Sequence, residues 1–217
     1  MNSKYEIKRP SKEILNKIRD IEITSLSDAA DFNISMNHLI KPHINKNKIV
    51  GPALTLKLEK GDSLMVQKIL EIAKPGDVIV IDTSGSEENA VWGDLRSLTA
   101  KQKDLEAVII DGAIRDIEGC REINFPIFCK YVVCASSTKS KAAEINIPIK
   151  CGGITVNPGD IIVGDLNGVI SIPQENAIEI VERALEKELS VSKSREEILK
   201  GIYISESTLN KINSLES

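Results

Sequence analysis

The sequence predicts an α/β fold, a layered arrangement in which helices cover a sheet, and three observations carry that prediction. Short runs rich in Val and Ile, "VIVID" at 78–82 and "AVIID" at 107–111, read as strands buried on both faces. Stretches with apolar residues at helical spacing precede both of them. Proline–glycine turns, "KPGD" and "NPGD", punctuate the chain where such units would join. At 217 residues the chain is long enough to bury a sizeable core. It is expected to be one domain over 1–217, with a C-terminal helix and tail from about residue 174.

Each element follows from local pattern. Residues from Ser11 to Phe32 read as helices, and "TSLSDAADF" offers Ser and Asp side chains that can cap a helix start. "KIVGPALTLKL" alternates as a strand, with Gly51-Pro52 marking its beginning. In "GDSLMVQKILEIA" Leu64, Ile69, Ile72 and Ala73 approximate a helix, and "KPGDVIVIDTSG" follows as turn, buried strand and glycine loop. The theme then repeats, with "AVWGDLRSLTAKQK" as helix and "LEAVIIDG" as strand. "EINFPIFCKYVVCAS" is strand-like, and "NPGDIIVGDLNGVISIP" gives two short strands around an Asn-Gly turn. From Gln174 to about Leu189 apolar residues recur at helical spacing; the charged tail beyond Ser190 is expected to pack loosely or against a neighbour. The shared pattern PGDxIVxD reads as two tight turns feeding two buried strands rather than as a duplication.

Composition narrows the function. Lys plus Arg number 28 against 32 Asp plus Glu, and the basic residues are scattered, which argues against a partner bound through its phosphate backbone. Cys120, Cys129, Cys134 and Cys151 form no CxxC pair and lie in or beside apolar segments, as reduced, buried thiols of a cytoplasmic protein would. The N-terminus lacks the apolar core of a signal peptide, and no apolar run reaches the roughly 18 residues of a membrane helix. His38 and His43 form no ligand pair, so a metal site would be built from oxygen ligands. Neither GxxxxGK[ST] nor GxGxxG occurs, which removes the simplest nucleotide-binding and methyl-donor readings.

One constellation remains. Clefts in open α/β sheets lie beyond the carboxyl ends of strands, and both Val/Ile runs end in loops there. The first loop leads through Trp92, Gly93, Asp94 and Leu95 into a helix whose unpaired N–H groups suit a carboxylate. The second delivers Arg115, a planar fork for an anionic oxygen pair, and Asp116, able to hold Mg²⁺ through one carboxylate and several waters. On pattern alone the step has a second reading, a solvated ion pair at a strand end, and Asp94 one as a first-turn carboxylate favoured by the helix dipole.

Asp94 followed after twenty residues by Arg115-Asp116 resembles the Asp-x20-Arg-Asp signature of a known family. That family joins class II 4-hydroxy-4-methyl-2-oxoglutarate aldolases with the regulator of ribonuclease activity A. "SLSDAADF", "VGPALTLK", "AKPGDVIVIDTSG", "AVWGDL", "VIIDGAIRD", "NFPIF" and "PGDIIVGDLNGVISIP" resemble family segments in the family's order, from about Thr24 to Ala184.

The resemblance implies a layered α/β fold like the swivelling phosphohistidine domain, assembled as homotrimers or trimer pairs (hexamers) with sites at subunit interfaces. It implies substrate binding by the Gly93, Asp94, Leu95, Arg96 segment, substrate binding and catalysis by Arg115, and a divalent cation, Mg²⁺ or Mn²⁺, on Asp116. Arg96 replaces a commonly apolar residue. Where members often carry a carboxylate three residues after the metal-binding Asp, this chain has Gly119, with Glu118 one residue early. The catalytic glutamate that a neighbouring subunit's C-terminal helix contributes matches Glu188.

The implied activity is cleavage of a small 2-keto acid to a pyruvate enolate, by retro-aldol reaction of 4-hydroxy-4-methyl-2-oxoglutarate type substrates or by decarboxylation of oxaloacetate. Cation and Arg115 would stabilise charge on the former keto oxygen, and a water held by a carboxylate such as Asp94 would take the hydroxyl proton. The rival implied by the same signature is a non-catalytic regulator that binds an RNA-degradation enzyme. A quinone methyltransferase, a label often attached to the family, would need a methyl-donor loop that the chain lacks.

Overall fold

The structure, a computed structural model, describes residues 5–216. Two helices open it, α1 (Lys12–Asp20) and α2 (Ile23–Ala29). Ser11 starts α1 by accepting the Ile14 N–H at 3.3 Å, and Lys48 closes its other end by donating to the carbonyls of Ile18, Arg19 and Ile21. There follow β1 (Lys41–Ile44), β2 (Ile49–Lys57), α3 (Val66–Ile72), β3 (Val78–Asp82), β4 (Ala90–Trp92), α4 (Asp94–Gln102), β5 (Ala107–Ile114), α5 (Ile117–Ile123) and β6 (Ile127–Val132). The second half holds β7 (Glu144–Ile145), β8 (Ile149–Cys151), β9 (Ile154–Val156), β10 (Ile161–Asp165), β11 (Gly168–Ile172), α6 (Ala177–Leu199) and α7 (Glu206–Glu216).

The main sheet runs β1-β6-β5-β3-β2-β10-β11. Its middle, β2, β3, β5 and β6, is parallel, while β1 and the β10–β11 hairpin are antiparallel additions at either side. The Val/Ile runs occupy this middle because both sheet faces are covered. Val108 and Ile110 of β5 join the core under α3, α4 and α5, and Ala107 and Ile109 join the core under the β8–β9 hairpin. A third core packs α1, α2 and α6 onto Val50, Ile161, Val163 and Ile170.

The two PGD segments are one turn built twice. Gly76 and Gly159 have φ of 84° and 89°, and Asp77 and Asp160 each accept the N–H of the residue three positions earlier at 2.8 Å. The expected hairpin is present, but its two-residue turn is Leu166-Asn167 and not Asn167-Gly168, since Gly168 already pairs with Asp165 as the first residue of β11.

Several expectations are corrected. Gly51-Pro52 lies inside β2, at the point where the strand exchanges β10 for β3 as its neighbour, and there a missing N–H costs the ladder least. "AVW" is strand β4, and the helix starts only at Asp94. α5 occupies a stretch that reads as connection and strand start, because Gly119 interrupts its helical pattern. α6 runs on to Leu199 and α7 follows, so the tail beyond Ser190 is largely helical and exposed. Cys120, Cys129 and Cys151 are buried free thiols as expected, but Cys134 is exposed. Among the described residues no helix is long and apolar enough to cross a membrane.

Candidate active site

The spacing of the Asp94 and Arg115-Asp116 segments is a consequence of topology. β4 pairs in parallel with the end of β5, Trp92 beside Ile114, and the Arg115 N–H donates to the Trp92 carbonyl at 3.1 Å. Between these points the chain runs out along α4 and returns along β5. The start of α4 and the residues after β5 therefore emerge side by side, bordering a cleft of about 210 Å³ lined by Gly93, Leu95, Arg96, Arg115 and Asp116.

Asp116 stands in the left-handed region, φ 55° and ψ 42°, which a short polar side chain tolerates. Its carboxylate lies against the bare face of Gly93: a Cβ there would sit 2.5 Å from Asp116 Oδ2. Gly93 itself is extended, φ −168°, so close approach and not backbone freedom is what requires glycine. Arg115 Nε is 3.4 Å from Asp116 Oδ2, with side-chain exposures of 44% and 43%. An exposed pair at that separation contributes at most about 1 kcal/mol, so little holds either group back from a ligand.

Arg96 is held firmly. One of its nitrogens donates to the Val91 carbonyl and another to the Ser63 carbonyl at 3.0 Å and hydroxyl at 3.1 Å. Burial, with nearby Arg115 adding to it, pulls the guanidinium down to about 10, still charged at neutral pH. The N–H groups at the start of α4 have no helical acceptors, and Gly93 has no side chain to cap them.

Ser136, Ser137 and Lys139, from the loop after β6, close the opposite wall. Nothing local in the sequence marks that loop. Its anchor is Asp62, a buried carboxylate that accepts from Thr138 Oγ1 and Ser140 N at 2.7 Å each, from Lys141 N, and from Leu64 N at 2.8 Å. Burial alone would raise this carboxyl, but the donors outweigh it and hold it well below the usual carboxylate range. A depressed folded value stabilises at any pH above the unfolded one and is lost only as acid titrates the folded group. The wall should accordingly be insensitive to pH from neutral down to about pH 5. Asp62→Ala, which strands those donors, should cost about 2–3 kcal/mol in urea unfolding, with equal loss at pH 7 and pH 5.

The remaining predicted residues lie differently. Asp94 does not line the cleft. One carboxylate oxygen accepts the Leu95 N–H at 2.7 Å, and the side chain packs on α5, where a Cβ at Gly119 would come within 2.9 Å of Asp94 Cβ. Close packing of Asp94 on α5 leaves no room for a side chain at Gly119, the position where family members often carry a carboxylate. Glu188 is elsewhere in its own chain: it accepts the Glu22 N–H at 2.7 Å at the start of α2.

Sequence comparison now adds what geometry does not give. The profile of the RraA-like family, Aldolase/RraA, matches residues 23–171. The chain belongs to the RraA-like family. A relative from Halalkalibacterium halodurans, provisionally named 4-hydroxy-4-methyl-2-oxoglutarate aldolase, is 40% identical over 176 residues, 81% of this chain and 84% of its own. The 4-hydroxy-4-methyl-2-oxoglutarate aldolase of Thermus thermophilus is 28% identical over 70% of this chain and 92% of its own. The crystal structure of Streptomyces coelicolor RraAS2, described as an unusual member of the RNase ES inhibitor RraA protein family, superposes with a TM-score of 0.79. It is 27% identical over 88% of this chain and 99% of its own. The RraA-like fold is thus shared with proteins named as aldolases and with one described as belonging to an inhibitor family.

The donor chemistry in this RraA-like cleft fits a hard divalent cation held by a single carboxylate. Asp116 is half exposed and rests on a glycine face, and among the described residues no three His, Cys, Asp or Glu side chains gather into an all-protein metal cage. A Mg²⁺-type ion is suited to such a place, since it keeps waters and takes further oxygens from its substrate.

Proposed function

We propose that this protein is a lyase that cleaves a 2-keto acid to a pyruvate enolate, with Mg²⁺ or Mn²⁺ on Asp116. The reaction is retro-aldol cleavage of 4-hydroxy-4-methyl-2-oxoglutarate type substrates, decarboxylation of oxaloacetate, or both. The observation that carries the reading is the emergence of Arg115 and Asp116, both exposed and loosely paired, beside the uncapped start of α4. A divalent cation bound there would polarise the keto group. The chain's own residues do the rest. First-turn N–H groups of α4 other than that of Leu95, which Asp94 accepts, hold the substrate carboxylate, aided by the helix dipole. Arg115 meets the oxygen on which charge develops. Asp94, between cleft-lining Gly93 and Leu95, is the carboxylate that holds the water taking the hydroxyl proton. Glu188 takes part only across a subunit boundary, in the homotrimer or hexamer that belongs to this reading.

The test is pyruvate release from oxaloacetate and from 4-hydroxy-4-methyl-2-oxoglutarate, with Mg²⁺ and again with EDTA, against a metal-only background. Turnover above background that EDTA abolishes is expected. No turnover on either substrate would favour a binding protein for an RNA-degradation enzyme, the class suggested by the description of the Streptomyces structure.

A further inference from the structure

No strong side-chain contact aims Arg115. Among the described residues its guanidinium makes one ion pair, with Asp116, and that contact is 3.4 Å long and about half exposed. The direction in which the side chain leaves is therefore set by the backbone of residue 115, which is held on both sides. Its N–H donates to the Trp92 carbonyl at 3.1 Å, and its carbonyl accepts from the Cys120 thiol at 3.6 Å. Both contacts lead to Ser97. The Trp92 ring N–H donates to Ser97 Oγ at 2.9 Å, Ser97 Oγ donates to the Gly93 carbonyl at 2.9 Å, and Cys120 Sγ lies 3.6 Å from Ser97 Oγ. Because the single hydroxyl proton goes to Gly93, the thiol is the donor toward Ser97 as well as toward Arg115. All three side chains are buried, Trp92 at 2% exposure and Ser97 and Cys120 at 0%. Part of this has a simple explanation, since a buried indole N–H needs an acceptor. That need does not account for the second arm, in which Ser97 meets the thiol that holds the Arg115 carbonyl.

We propose that Ser97 and Cys120 are positioning residues: with Trp92 they form a buried strut that fixes where Arg115 stands relative to the start of α4. This rests on the lyase reading for the role of Arg115 as the group that meets the developing charge. Neither Ser97 nor Cys120 lines the cleft, so both act on the substrate only through Arg115. The two arms differ in weight. Ser97 makes oxygen and nitrogen contacts below 3 Å, whereas sulfur is a weak donor, so Cys120 contributes geometry more than energy. Rigidity here has a chemical use, because a donor serves a developing oxyanion only when it is already in place as the charge forms.

The test reads affinity and not rate, so it does not depend on which keto acid is cleaved. Oxalate, a planar dianion with the shape and charge of a pyruvate enolate, is titrated by calorimetry with Mg²⁺ present, and pyruvate serves as the comparison of lower charge. Ser97→Ala should weaken oxalate by about ten-fold, the loss expected when a charge-assisted hydrogen bond is moved off line, and pyruvate by no more than about two-fold. Cys120→Ala should weaken oxalate by about three-fold, while Cys120→Ser, which keeps a donor in place, should bind like the wild type. In an Arg115→Ala background, Ser97→Ala should change oxalate affinity by less than about two-fold. This coupling is the readout that a merely structural role would not give. Fewer folded molecules lower the calorimetric stoichiometry and leave affinity alone, and a general loosening of the cleft weakens oxalate equally with and without Arg115. Equal losses in the two backgrounds overturn the proposal, as does wild-type oxalate affinity in folded Ser97→Ala. The cysteine pair leaves the bond between Trp92 and Ser97 intact and decides the matter if Ser97→Ala does not fold: Cys120→Ala and Cys120→Ser binding alike would overturn it. No Mg²⁺-dependent oxalate binding by the wild type would remove the role of Arg115 and the strut with it. Should the coupling hold while neither oxaloacetate nor 4-hydroxy-4-methyl-2-oxoglutarate is cleaved, the lyase reading fails and the strut stands.

Discussion

Arg115→Ala should lower metal-dependent pyruvate release by about 10²–10³-fold, the usual loss when one donor to a developing oxyanion is removed. Asp116→Asn should do at least as much. Asn is chosen because it tolerates the left-handed backbone of position 116, φ 55°, so the variant removes charge without adding strain. Neither change should disturb the fold. The two side chains are about half exposed, their mutual contact is long, and Asp116 makes no side-chain cap on α5. A stability loss under about 1 kcal/mol, or less than about 4 °C in the unfolding midpoint, is expected for a chain of this size. Turnover at the wild-type rate in either folded variant would sink the assignment. Loss of turnover together with collapse of the unfolding midpoint would show instead that the step is structural.

How far the site could be read from sequence depends on how each part is encoded. The strands of the parallel middle were legible because burial on both faces writes itself as uninterrupted Val and Ile, as in Val78–Ile81 and Ala107–Ile110. Paired turns were legible because glycine at positive φ and an Asp accepting from three residues back leave a fixed spelling. β4 was not, since three apolar residues ahead of a glycine have no period of their own, and α5 was not, since Gly119 stands in its middle, packed against Asp94. The same division runs through the site. Arg115 and Asp116 stand out as charges placed directly after a buried strand. The far wall does not: Ser63, Ser137 and Lys139 come from segments remote in sequence, joined through Asp62, and ordinary serines in a loop carry no signal until the fold brings them to Arg96. Arg96 was visible as a departure from the family pattern, yet only its contacts show that it is fixed and lacks a carboxylate partner among the described residues.

Gly93→Ala should separate geometry from stability more sharply than any change to a charged residue. The extended backbone at Gly93, φ −168°, accepts alanine without strain, and the helix loses no cap, because glycine supplies no side chain to begin with. What the methyl group meets is the Asp116 carboxylate, 2.5 Å from the new Cβ and far inside contact distance, with the rest of that side chain at 3.4 Å. Backbone is not in the way; the obstruction is the end of a half-exposed side chain, so the cheap relief is for the carboxylate to swing outward into solvent. The fold should then lose no more than about 1 kcal/mol, while the oxygen proposed to anchor the cation moves by an ångström or so, a displacement that can cost on the order of 10²-fold in rate. Two measurements check this. Pyruvate release should fall by about that factor, and the Mg²⁺ concentration giving half-maximal rate should rise, with the unfolding midpoint nearly unchanged. If Gly93→Ala instead kept its rate and its metal requirement, the position of Asp116 against the start of α4 would not matter to the chemistry, and the cation would have to be held by something other than this carboxylate.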